Sequence, residues 1–72
     1  MPDMNVIIID DEPAVRNTIA AIIRNNFPEI RVVATAGSVA EGCDTIRINQ
    51  PDILFLDVEM PDGTGFDLLS SI

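Results

Sequence analysis

The chain has 72 residues, with twelve acids against four arginines, no lysine and no histidine, a formal charge of -8, and 47% apolar residues. So acidic a chain is repelled by phosphate backbones and anionic lipid, which excludes nucleic-acid and membrane-surface binding through these residues, while the apolar fraction is that of a folded domain and not of an acidic tail. The lone Cys43 rules out an internal disulfide, no apolar run nears the ~18 residues that span a bilayer, and Met1-Pro2-Asp3 lacks a basic signal region, so a cytoplasmic location is expected.

The first element is Asn5-Val6-Ile7-Ile8-Ile9-Asp10, a β-branched run without polar alternation, which is how a strand buried on both faces of a parallel sheet reads. The run stops on acid. Asp11 and Glu12 precede Pro13, which suits the first turn of a helix, and Val15, Ile19, Ile22 and Ile23 follow at helical spacing. The sequence predicts an amphipathic helix ending near Asn25-Asn26, ahead of Phe27-Pro28. Ile30 to Ala36 reads as a second strand, broken at Gly37-Ser38.

Ser38 and Glu41 have capping-box spacing for a second helix, limited by Pro51, on which Val39, Cys43 and Ile46 share one face. Cys43, with no base to activate it, reads as core. Ile53-Leu54-Phe55-Leu56 is a third buried strand, again ending on an acid, Asp57, and followed by the turn-rich stretch Met60-Pro61-Asp62-Gly63-Thr64-Gly65. Thr64 and Asp67 have capping-box spacing for a last helix begun by Phe66, Leu69 and Ile72. Phe27, Phe55 and Phe66 read as core anchors, Met60 as loop, and the arginines as solvated charges, with Arg16 placed to approach a ligand beside the acid pair.

The order β-α-β-α-β-α implies an α/β fold, a parallel sheet with helices on its faces. The last helix has only about two turns when the chain stops, so residues 1–72 read as a partial domain cut within its third helix. Parallel strands point the same way, so Asp10 and Asp57 should emerge at the same carboxyl edge, where such sheets bind ligands, with Asp11 one residue on. Three carboxylates brought together repel one another unless a cation neutralises them. An all-oxygen donor set favours magnesium or calcium over zinc or copper, and magnesium needs only one or two carboxylates. A carboxylate can also attack phosphorus, and Asp57, backed by a rigid strand, is the candidate nucleophile, with Asp10 and Asp11 holding the metal. The same acids also have a structural reading, as helix caps or loop cover.

Val6-Ile7-Ile8-Ile9-Asp10-Asp11-Glu12-Pro13, and Leu54-Phe55-Leu56-Asp57 with Met60-Pro61 and Gly65 following, resemble the amino-terminal part of a two-component response-regulator receiver domain. The resemblance spans essentially all of the chain and implies a flavodoxin-like sheet, order 2-1-3 for the strands present. It further implies that Asp57 accepts a phosphoryl group from a phosphohistidine on a sensor histidine kinase or phosphotransfer protein. Asp11 and Asp57 would bind Mg2+ directly, Asp10 mainly through water, and the backbone carbonyl of Glu59 would complete the protein ligands. Ala14, Val15 and Thr18, early in the first helix, would meet the kinase, and the Glu59 side chain would influence the phosphoryl lifetime.

Receivers have five βα units, the later ones supplying a Ser or Thr and a Lys that read the phosphoryl group. A chain without lysine is expected to hold the acceptor half of that site and not the switch half, and to act as a phosphoacceptor for an output domain elsewhere, not as an enzyme. With order 2-1-3, right-handed crossovers put the first helix on one face and the other two on the opposite face. Ile53-Leu54-Phe55-Leu56 then forms an open edge, through which the chain is expected to self-associate.

Other motifs fail on their chemistry. A calcium loop from Asp57 to Leu68 would need glycine where Asp62 stands and glutamate where Leu68 stands. Gly63-Thr64-Gly65 lacks the third glycine of a dinucleotide fingerprint, and the first strand leads into acids that would repel a pyrophosphate. Two alternatives stay open. One is a receiver-like interaction domain not regulated by phosphorylation. The other is an aspartate-nucleophile phosphatase, although such enzymes usually have a second aspartate where this chain has Glu59.

Overall fold

The computed structural model describes residues 3–72. Strand β1 (Met4–Ile9) leads into helix α1 (Pro13–Asn26), then β2 (Ile30–Ala36), α2 (Val39–Asn49), β3 (Ile53–Leu56), a hairpin of β4 (Glu59–Met60) and β5 (Gly63–Thr64), and α3 (Gly65–Ser70). The main sheet has the order β2-β1-β3, and β1 is parallel to both neighbours, as expected. The short antiparallel hairpin begins at Glu59 and runs through the stretch from Met60 read from sequence as a turn-rich loop.

The β-branched run of β1 fills the centre. Val6, Ile7, Ile8 and Ile9 are all fully buried, and alternation sends them to opposite faces. Val6 and Ile8 pack with Ala20 and Ile23 of α1. Ile7 and Ile9 pack with Ala36, Met60 and Leu68, with Val39, Cys43 and Ile46 of α2 closing around them. One helix on one face and two on the other is the arrangement that right-handed crossovers require.

The helix ends follow local chemistry. Pro13 opens α1, and at its other end the N–H of Phe27 donates to Ile23 just before Pro28. At α2 the Ser38 hydroxyl accepts from the Glu41 N–H at 3.1 Å, while the Glu41 carboxylate meets that hydroxyl at 3.5 Å and not the Ser38 backbone, so half of the expected capping box forms. At α3 the box is complete, with Asp67 N–H donating to Thr64 Oγ1 at 3.1 Å and Thr64 N–H to Asp67 Oδ2 at 2.8 Å.

Several side chains depart from their sequence reading. Phe27, Phe55 and Phe66 are not core anchors but are 44%, 43% and 68% exposed. Helix α1 lies mainly over β1 and β2, which leaves Phe55 on β3 only partly covered. In α1 the buried positions are Ala20 and Ile23, and Ile22 faces out. Helix α3 turns Leu68 inward and leaves Phe66 and Leu69 exposed, as is Ile72 beyond its end. Met60, read as loop, belongs to the core.

Candidate metal centre

The two strand ends meet at one level. The N–H of Asp57 donates to Ile9 at 2.9 Å and that of Asp10 to Ala36 at 3.0 Å, so the sheet ladder itself sets where each acid leaves its strand. One carboxylate oxygen from each of Asp10, Asp11 and Asp57 lies within 4.8 Å of the other two, with Asp11 exposed and the others half-buried. The Asp10 carboxylate accepts the Glu12 N–H at 2.9 Å, and the Asp57 carboxylate accepts the Glu59 N–H at 3.4 Å. Asp11, Glu12, Asp57, Glu59, Met60 and Pro61 line an open cleft of about 460 Å3.

The donor chemistry fits a hard divalent ion. Three carboxylate oxygens gather with no imidazole or thiolate beside them, and the one thiol, Cys43, packs with α2 against the core instead. Two ligands of a Mg2+ ion lie at most about 4.2 Å apart, so oxygens spread this far reach one ion after small side-chain rotations or through a bridging water.

The loops around the acids are held by backbone chemistry. Gly65 starts α3 directly behind Asp57, and a Cβ there would stand 2.6 Å from the Asp57 carbonyl oxygen, so only glycine permits this approach. The Gly65 N–H donates to Val58 at 2.9 Å, tying the helix start to the residue after Asp57. Arg16 is half-buried, and its Nη1 donates to the Asp10 backbone carbonyl at 2.6 Å. It is tied to the backbone of the acid loop and does not reach out as a free charge. Arg31 and Arg47 do behave as surface charges, paired with Asp3 and Asp44.

All three acids singled out from sequence meet, and Glu59 lines their cleft. Ala14, Val15 and Thr18 stand apart from it, lining with Ile19 a shallow groove of about 220 Å3 on α1. The sequence reading missed Asp62. Its carboxylate accepts from the N–H groups of Val39 at 2.8 Å and Ala40 at 3.1 Å, across to the start of α2. These donors, Val39 first, hold the Asp62 carboxyl below its ordinary value.

The model of the response regulator receiver domain matches residues 6–72. The chain belongs to this family. The receiver is 39% identical over 69 residues to the sensory transduction protein LytT of Enterococcus faecalis, covering 96% of this chain and 28% of that protein. It is 38% identical over 72 residues to protein-glutamate methylesterase/protein-glutamine glutaminase 1 of Caulobacter vibrioides, covering 100% of this chain and 21% of that one. Among solved structures it superposes on the response regulator domain of Thermotoga maritima CheB with a TM-score of 0.91 at 28% identity, over 97% of this chain and 52% of that one. It also superposes on a chain from the complex of the CheA3 P1 domain with CheY6 of R. sphaeroides, with a TM-score of 0.81 at 34% identity, over 96% and 54%. The receiver thus spans about half of these solved chains and under a third of these two curated relatives.

Proposed function

We propose that this receiver accepts a phosphoryl group on Asp57 from a histidine kinase or phosphotransfer protein, with Mg2+ held by Asp11, Asp57 and the Glu59 carbonyl, and Asp10 reaching the ion through water. The observation that carries the reading is the convergence of the three carboxylates at the ends of β1 and β3. An Asp57 oxygen bonds to phosphorus as the donor's N–P bond breaks, and the imidazole leaves with the electron pair. Bound Mg2+ supplies neutralising charge on the transferring group. The ladder bond from Asp57 to Ile9 and the close packing of Gly65 keep the acceptor in place, so little reorganisation precedes attack.

The groove of Ala14, Val15, Thr18 and Ile19, on the helix that follows the acid pair, suits the docking of a phosphotransfer partner, and the R. sphaeroides complex pairs a similar chain with a P1 domain. The name of the Caulobacter relative is that of an enzyme, but the match covers 21% of it, and the role proposed here is that of a phosphoacceptor. No helix among the described residues is long and apolar enough to cross a membrane, and a cytoplasmic setting accords with the proposed partners. Residues 1–72 constitute, in this reading, the acceptor-bearing part of a larger receiver whose remainder supplies the response.

Incubation with a small phosphodonor and Mg2+ tests the assignment. The chain should gain one phosphoryl mass, released by hydroxylamine as an acyl phosphate is, and should gain none after chelation. Uptake of the label by Asp57→Asn would overturn the assignment of the acceptor.

A further inference from the structure

The geometry points to Asp62 as a positioning residue that couples the cation pocket to the start of α2, an inference that rests on the metal-site reading above. Helix α2 presents three free backbone donors at its first turn. Ser38 takes the Glu41 N–H from the N-cap position, and Asp62, from the turn of the β4–β5 hairpin, takes those of Val39 and Ala40. An ionised carboxylate on two N–H groups at the positive end of a helix forms charge-assisted bonds, stronger than neutral ones.

The hairpin turn is therefore tied to the start of α2. Gly63, opposite Met60 in the hairpin, has φ of +151°, and a Cβ there would lie 3.3 Å from Val39 Cγ2, so the turn fits closely against α2. The other arm of the hairpin carries Glu59, which lines the cleft and donates its N–H to the Asp57 carboxylate. Two residues of the hairpin, Met60 and Pro61, thus separate Asp62 from the Glu59 backbone that bonds the Asp57 carboxylate. Met60 anchors the hairpin in the core from below, so loss of the clamp should loosen its tilt without releasing it.

Manganese binding, followed by electron paramagnetic resonance with Mg2+ competition, measures the coupling on the unsubstituted chain, Asp62→Ala, Asp62→Asn and Asp57→Asn. Asp62→Ala should bind Mn2+ about tenfold more weakly, at the low end of what loss of a group supporting metal ligands costs. Asp62→Asn, which keeps one acceptor oxygen but turns an NH2 toward the second donor, should fall between. Because coupling is reciprocal, saturating Mg2+ should slow hydrogen exchange at Val39 and Ala40 in the unsubstituted chain and not in Asp62→Ala. A merely structural cap would lower the melting temperature and leave both readouts unchanged. Equal Mn2+ affinity for Asp62→Ala, or for Asp62→Asn where the alanine variant fails to fold, together with lost binding in Asp57→Asn, overturns the clamp alone. Absence of binding in the unsubstituted chain overturns the site reading and the clamp with it.

Discussion

At Asp62 one carboxylate meets two N–H groups of another element, and protonation removes the charge that makes those bonds strong. Its folded pKa lies below the ordinary value, so the unfolded chain takes up the proton first as pH falls. The contribution of Asp62 to stability is therefore complete above the unfolded pKa, about 4, and is lost as pH drops through the lower folded value. Urea midpoints measured across this range should show Asp62→Asn less stable than the unsubstituted chain at neutral pH, with the gap closing in acid. A constant gap would show that the charge plays no part. The fully buried Leu68, joining α3 to Ile7 and Ile9, gives a second measure. Leu68→Ala should cost about 2–5 kcal/mol in the same urea series, a large fraction of what so small a fold possesses.

Among the elements, α3 depends most on its cap. Six residues are too few to hold a helix by propensity, so the reciprocal bonds of Thr64 and Asp67 and the burial of Leu68 sustain it. Thr64→Ala removes one of those acceptors and should destabilise the fold by about 1 kcal/mol, read as a lower denaturant midpoint with unchanged slope. Gly65 raises the same element against the acceptor loop. Gly65→Ala would force a Cβ to within 2.6 Å of the Asp57 carbonyl, so α3 must withdraw, and Mn2+ binding should weaken together with stability. A variant with intact binding would show that α3 and the pocket are independent. The capping spacings were legible in sequence because they are local, whereas the approach of Gly65 to Asp57 depends on how the hairpin folds between them.

On the scale of the whole molecule, the sheet has apolar residues on an edge that no strand covers among the described residues. Strand β3 pairs with β1 on one side only, and Phe55, Val58, Phe66 and Leu69 stand exposed around its other side. Such an edge offers free backbone groups flanked by apolar side chains, a template for pairing with another chain. The 72-residue chain should self-associate with rising concentration in light scattering, and Phe55→Lys, which places a charge on the edge, should shift it toward monomer. A monodisperse monomer across that range would remove the edge as an association surface.

The three main strands, the helix starts and the meeting of Asp10, Asp11 and Asp57 were legible in the chain, from β-branched runs ending on acid, proline at a helix start and capping pairs at fixed spacing. The strand order 2-1-3 came with the family resemblance, and the β4–β5 hairpin was not foreseen. Which apolar residues would be covered was not legible either. Ile22, Phe27, Phe55 and Phe66 are as apolar as Ile23 or Leu68, and only the seat of α1 over β1 and β2, and the rotation of α3 that buries Leu68, decided between them. The clamp from Asp62 to Val39 and Ala40 belongs to the same class, because a hydrogen bond between groups more than twenty residues apart exists only once the β2–α2–β3 crossover has brought them together.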